Sequence, residues 1–196
     1  SEMCIRDSII ICLVGCKKGS NETTITGEIK GLGTDTLYLY GMDELYDRID
    51  TIYVENDKFS YTTSVDTITS AYLLLKNRIE YPVFLDKGNK IKIKGDTINL
   101  NFLTISGNIY NEEFTDFQKA LEDPADPSEK AGEETVDKRI TVEKANTAEE
   151  MAEEFILQHH SSYVSLYLLD KYFVQKETPD FSKIKKLVEV MTGVLQ

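Results

Sequence analysis

The sequence predicts an α+β protein, in which an N-terminal antiparallel β-sandwich of about eight strands is followed by an α-helical region. Two changes of pattern predict it. Residues 23–107 alternate apolar and polar side chains in short runs separated by Gly, Asn and Asp turn signals, the period-two signature of half-buried strands. Beyond Asn108 the apolar residues recur every three or four positions, which is the spacing of a helix face. A length of 196 residues, 41% of them hydrophobic, is enough for one sizeable core or two modest layers. The net charge of −12 argues against a nucleic-acid partner, because phosphate binding needs a basic face that no segment supplies. There is no Trp, and the 11 Tyr and 8 Phe sit mostly at alternating or helical positions, where packing accounts for them.

At the N-terminal end, residues 9–15 form a short apolar run followed by Cys16, Lys17 and Lys18. A membrane-spanning helix needs about 20 apolar residues, so this run fits the core of a secretory signal instead. Leu13-Val14-Gly15-Cys16 resembles a bacterial lipobox, in which a small residue before the cysteine admits signal peptidase and the thiol carries diacylglycerol. Residues 1–16 are therefore read as a signal peptide and Cys16 as the lipidation site, with residues 17–22 as a tether. Residues 1–8 read unlike a signal start, so the chain's first residues are expected to be foreign or mis-framed. The other cysteines, Cys4 and Cys12, fall inside the signal, so no thiol remains for a disulfide, a zinc site or a redox pair.

Eight strands are expected at residues 23–30, 36–40, 49–55, 58–65, 70–76, 81–85, 90–94 and 102–106, with turns at 31–33, 86–89 and 95–96. Their even spacing favours a sandwich over a parallel sheet, which would need helical crossovers. The clearest local code is RIDTIYVENDKFSYTTSV, residues 48–65. Asn56 and Asp57 tolerate the positive φ of a two-residue turn, which predicts a hairpin with Glu55 ion-paired to Lys58 and Val54, Ile52 and Asp50 facing Phe59, Tyr61 and Thr63. In residues 90–94, Ile91 and Ile93 alternate with Lys90, Lys92 and Lys94. The lysine row is read as a solvated face that blocks edge pairing rather than an anion site.

In the helical part, Phe114, Phe117 and Leu121 share a stripe over residues 111–121. Residues 122–154 hold twelve acids against four bases, a solvated polar helix or linker without the ordered acids of a calcium loop. Thr147-Ala148-Glu149-Glu150 fits a capping box for a helix ending near His160. Ser161 or Ser162 caps the next helix, residues 163–174, whose side chains are too apolar to face water. Thr178 caps the last, with Pro179 in its first turn and Asp180 near its positive end. His159 and His160 are adjacent and so point about 100° apart on a helix, which rules out joint chelation in the i, i+4 manner. They are read as helix C-terminal residues, and no catalytic, cofactor or metal site is assigned.

The order ITGEIKGLGTDTLYLY, IDTIYVENDKFSY, YPVFLDKGNKIKIKGD and ISGNIYNEEFTDF resembles the N-terminal domain of unknown function on Bacteroides-type thioredoxin-like lipoproteins, related to the TlpA, ResA and AhpC/TSA group. SSYVSLYLLDKYF and TPDFSKIKKL resemble the connector that follows it there. The resemblance implies a β-domain at 23–107 and a helical connector at 108–196, cut short before a thioredoxin-like domain with a CxxC pair. Its implied parent is a membrane-anchored, periplasm-facing thiol-disulfide oxidoreductase of the cell envelope. In that setting this chain is a non-catalytic module that positions the redox domain or docks a protein partner on the β-sandwich. The alternative is a stand-alone lipoprotein binding a glycan or peptide, which predicts a clustered aromatic platform on an exposed face.

Overall fold

The computed structural model describes residues 21–41, 44–122 and 138–191. Eight strands form two four-stranded sheets, and four α-helices follow, so the mixed α+β class stands. The strands are β1 Glu22–Lys30, β2 Asp35–Gly41, β3 Ile49–Val54, β4 Lys58–Ser64, β5 Thr69–Leu74, β6 Glu80–Leu85, β7 Lys90–Asp96 and β8 Thr104–Ser106. The first sheet has the order β4-β1-β7-β8 and the second β3-β2-β5-β6, and neither is closed. Alternation decides what each strand buries. Ile25, Ile29, Ile91 and Ile93 of the first sheet and Leu37, Leu39, Leu73 and Val83 of the second lie in one core, almost wholly removed from water.

Three expectations about the sheets need correction. The pairing is not all antiparallel, because β1 and β7 run parallel, with Ile25 opposite Ile91. No helical crossover joins them, since the intervening chain passes through the second sheet, returns as β4, and passes through it again. The turn at Asn56 and Asp57 forms with φ of 51° and 69°, and Glu55 and Lys58 exchange backbone hydrogen bonds of 2.9 and 3.1 Å. The hairpin ladder stops there. β3 pairs with β2, and β4 pairs with β1, so the two arms enter different sheets. Val54 and Phe59 are both buried, but not as a hydrogen-bonded pair. Glu55 and Lys58 form no ion pair among those of the described residues. Gly95 does not turn the chain but continues β7, where a Cβ would collide with Leu103. Gly27 faces Phe59 across the β1–β4 ladder, and the aromatic ring occupies the space its Cβ would need.

The helices are α1 Ile109–Glu122, α2 Lys138–Gln158, α3 Tyr163–Leu169 and α4 Phe181–Val190. α1 seals the side of the core where the edge strands β6 and β8 would leave backbone groups unpaired. Asn111 Oδ1 accepts from the Phe84 N–H at 2.9 Å, and its Nδ2 donates to the Phe84 carbonyl at 2.8 Å. One turn later, Thr115 Oγ1 accepts from Ile105 N–H and donates to the Ile105 carbonyl, both at 3.0 Å. These side chains do for each edge what a ninth strand would do.

α2 starts nine residues before the proposed cap, so Thr147 lies inside the helix. Residues 138–147 contain no Gly or Pro, and once a helix is nucleated each added residue gains a hydrogen bond. Ser162 does cap α3, its Oγ accepting from Val164 N–H at 3.2 Å. After Leu169 the winding loosens into a π-helical turn, Asp170–Val174, closed by Gln175 N–H donating to the Asp170 carbonyl at 3.0 Å. α4 is capped by Asp180 rather than Thr178, the Asp180 carboxylate accepting from Ser182 and Lys183 N–H. The apolar face of α3 is covered within the chain, with Val164, Leu168 and Phe173 all buried. α4 keeps an uncovered side, where Phe181 is 77% exposed. Glu149 and Glu153, placed by sequence in a solvated acidic stretch, pair with Lys176 and Lys183 and tie α4 to α2.

Candidate functional site

The outward face of the second sheet is its most distinctive surface. Leu37 and Leu39 of β2 point into the core, which turns Tyr38 and Tyr40 outward. The register places Tyr40 beside Ile49 of β3 and Tyr72 of β5, Tyr38 beside Thr51 and Leu74, and Tyr53 beside Thr36. Tyr53 is 73% exposed, Ile49 74% and Tyr38 41%. The rings of Tyr40 and Tyr72 stack with centroids 5.9 Å apart, and Tyr72 continues to Tyr167 of α3 at 6.4 Å. Among the described residues the helices cover the far half of this face, where Phe84 meets the rings of Tyr110, Phe114 and Tyr167. An aromatic strip therefore runs from the bare edge strand β3 to the foot of α3.

At that foot lies a cavity of about 150 Å³, lined by Ser70, Tyr72, Tyr163, Tyr167 and Asp170, with Phe84 among its walls. Asp170 accepts from Gln175 Nε2 at 2.5 Å through Oδ2. Burial pushes the Tyr72 phenol up from its ordinary value, and the nearby Asp170 and Glu80 carboxylates push it the same way. Burial and a hydrogen bond to Glu80 push Tyr40 up as well. These phenols stay protonated and can donate hydrogen bonds throughout the neutral range. Such a surface can stack on a flat apolar face while its hydroxyls and the Asp170 carboxylate engage polar groups at the rim. Sequence had read the aromatics as core; the alternation with Leu37 and Leu39 was the signal that Tyr38 and Tyr40 face outward.

The lysine row lies on the outward face of the other sheet. Lys90, Lys92 and Lys94 are exposed on β7, in register with Thr24, Thr26 and Glu28 of β1 and, beyond it, with Thr62, Ser60 and Lys58 of β4. β7 is an interior strand, so edge protection cannot account for the row. Nor did sequence show a basic face, because this one is assembled from separate strands. None of Lys58, Lys90, Lys92 or Lys94 belongs to an ion pair among the described residues.

Cys16, the one proposed modification site, lies outside the described residues. His159 directly follows the last residue of α2, stacks on Phe155 at 4.3 Å and brings Nδ1 within 3.4 Å of Glu113 Oε1. The sequence did not reveal Glu113 as the partner. Ser162 Oγ donates to the other Glu113 oxygen at 2.5 Å while capping α3, so Glu113 clamps α1 to the α2–α3 corner. The imidazole does not activate the serine in this arrangement, because Glu113 lies between them. His160 is paired with Ser161 on the surface. No group of three or more metal-ligating side chains occurs among the described residues, and no helix among them is long and apolar enough to cross a membrane.

A family model described as a domain of unknown function, DUF4369, matches residues 23–114, just under half of the chain. The match begins in β1 and ends in α1, after Asn111. No curated protein and no solved structure matches the chain.

Proposed function

We propose that this chain is a non-catalytic recognition module of an envelope lipoprotein, with the two sheets forming a β-sandwich that binds a glycan on the tyrosine face of β2, β3 and β5. The observation that carries the reading is the exposed strip of Tyr53, Tyr38, Tyr40 and Tyr72 running into a polar-rimmed cavity at Asp170. Stacked phenols suit the flat C–H faces of a sugar ring, and Ser70, Asp170 and Glu80 offer partners for its hydroxyls. The lipobox-like Leu13-Val14-Gly15-Cys16 supports anchoring through a lipid on Cys16 in a periplasm-facing leaflet. The family resemblance supports a parent that continues into a thioredoxin-like thiol-disulfide oxidoreductase domain, for which this module selects or positions the target.

A second reading rests on β3, the edge of its sheet, whose outer ladder groups have no strand partner among the described residues. An extended peptide could add there as a fifth strand and rest on Tyr53 and Ile49. Affinity electrophoresis through gels containing soluble neutral polysaccharides separates the two. Retardation by a polysaccharide that is lost in Y38A/Y53A supports the glycan. Retardation unchanged in that variant removes the tyrosine face from the reading, and binding confined to a peptide library moves the assignment to β3.

A further inference from the structure

We infer that the outward face of the β4-β1-β7-β8 sheet is a membrane-facing surface that lies on an anionic phospholipid bilayer. The inference rests on the proposed anchor at Cys16 for its setting, and on the lysine row for its content. Lys58, Lys90, Lys92 and Lys94 share this face with Glu28 as the acid among them. Glu22 stands at the start of β1, and Asp96 at the end of β7 lies in register with Lys30. In a chain of net charge −12 this is a local excess of the opposite sign.

The shape of the array points to lipid rather than to a small anion or nucleic acid. Apart from Glu28, which stands between Lys94 and Lys58, the side chains in register with the lysines are short Thr and Ser, so the longer ammonium arms project beyond them. No arginine lies in the strand register of this face for bidentate recognition, and Phe102, beside Lys30 and Lys94 in the wall of a cavity of about 500 Å³, is half-buried rather than presented for stacking a base, whereas compact ammonium charges match a plane of phosphodiester headgroups. The acidic remainder of the molecule does not cancel the attraction. Sheets pack about 10 Å apart, and the Debye length in physiological salt is about 8 Å, so charges beyond the second sheet are screened from the bilayer.

The start of β1 lies at the same end of the sheet as the first lysine of the row. β1 begins at Glu22, and Thr24 N–H donates to the Asn89 carbonyl next to Lys90, so the tether enters beside the first lysine of the row. Five residues stand between Cys16 and Glu22, so the two are at most about 20 Å apart, which keeps the face within reach of the headgroups. Lys17 and Lys18 in the tether carry the same sign.

The test uses the full chain with Cys16→Ser, so that no acyl chain contributes, in sedimentation with vesicles. Binding to phosphatidylglycerol-containing vesicles should exceed binding to phosphatidylcholine vesicles and fall as salt is raised. At about fivefold per lysine near an anionic surface, K90Q/K92Q/K94Q in the same background should lower the partition coefficient roughly a hundredfold at low salt. K119Q/K185Q/K186Q, which removes the same charge from the helices, should leave it within about twofold. Equal losses in the two triple variants, or equal binding to both vesicle types, would overturn the inference. Fatty-acid labelling of the unsubstituted chain reads the anchor separately: absence of label removes the anchor and leaves the vesicle result to decide the face.

Discussion

Replacing Asn111 with Ala tests whether side chains of α1 substitute for a missing strand. Asn111 is 1% exposed, so water does not reach what it leaves behind. Its Oδ1 is the acceptor for the Phe84 N–H on edge strand β6, and loss of that acceptor orphans a buried donor, at a cost of about 1–3 kcal/mol. The Phe84 carbonyl loses Asn111 Nδ2 but keeps Asn108 Nδ2 at 2.9 Å, so the second loss is an ordinary hydrogen bond of about 0.5–1.5 kcal/mol. Together the substitution should destabilise the protein by about 2–4 kcal/mol, or roughly 5–15 °C in melting temperature for a chain of this length. Urea unfolding should show a lower midpoint with an unchanged slope, and the Phe84 amide should exchange faster than those of the interior strand β5. A loss below about 0.5 kcal/mol with Phe84 still protected would mean that α1 is not what closes this edge.

Gly27→Ala should destabilise by about 1–3 kcal/mol, because its Cβ would meet the buried Phe59 ring, and the penalty should largely disappear in a Phe59→Ala background; equal penalties in the two backgrounds would sink the contact. Burial, reinforced by the hydrogen bond to Asp50, pushes the Tyr46 phenol up to about 12. A folded value above the unfolded value of 10.0 means that its stabilisation is complete below pH 10 and is lost as pH rises from 10 through 12. Unfolding midpoints across that window should fall less steeply in Tyr46→Phe than in the parent, and parallel curves would refute the assignment.

Strand positions were legible because alternation is local: Leu37 and Leu39, or Ile91 and Ile93, declare a buried face whatever lies opposite. Strand partners were not. Val54 and Phe59, like Ile52 and Tyr61, make the same apolar pattern whether they neighbour each other in one ladder or enter separate sheets around a shared core. The Asn56-Asp57 turn is equally satisfied by either, since a two-residue reversal constrains only the Glu55–Lys58 bridge next to it. The α2 start was misread for a related reason. A capping box describes how a helix end can be satisfied, and at Thr147 nothing upstream breaks the helix to create an end.

The candidate surfaces depend on a further quantity that period-two patterns do not carry, namely what covers the outward side. Phe84 and Tyr38 are both outward residues of the second sheet, yet Phe84 is buried beneath α1 and α3 while Tyr38 stands in solvent. Sheet order decides between them: β6 is the edge that α1 latches through Asn111, and the helices that follow spread from there only as far as Tyr72. Among the described residues no helix packs on the other sheet's outward face, and there the parallel β1–β7 pairing brings Lys92 and Lys94 beside Thr26 and Glu28, residues more than sixty positions away in sequence. The row of lysines on β7 is thus joined by Lys58 across β1, with Glu28 between, while the tyrosine strip lies on the outward face of the other sheet. With the lysine face on the bilayer, the tyrosine face would point outward, where a ligand in solution can reach it.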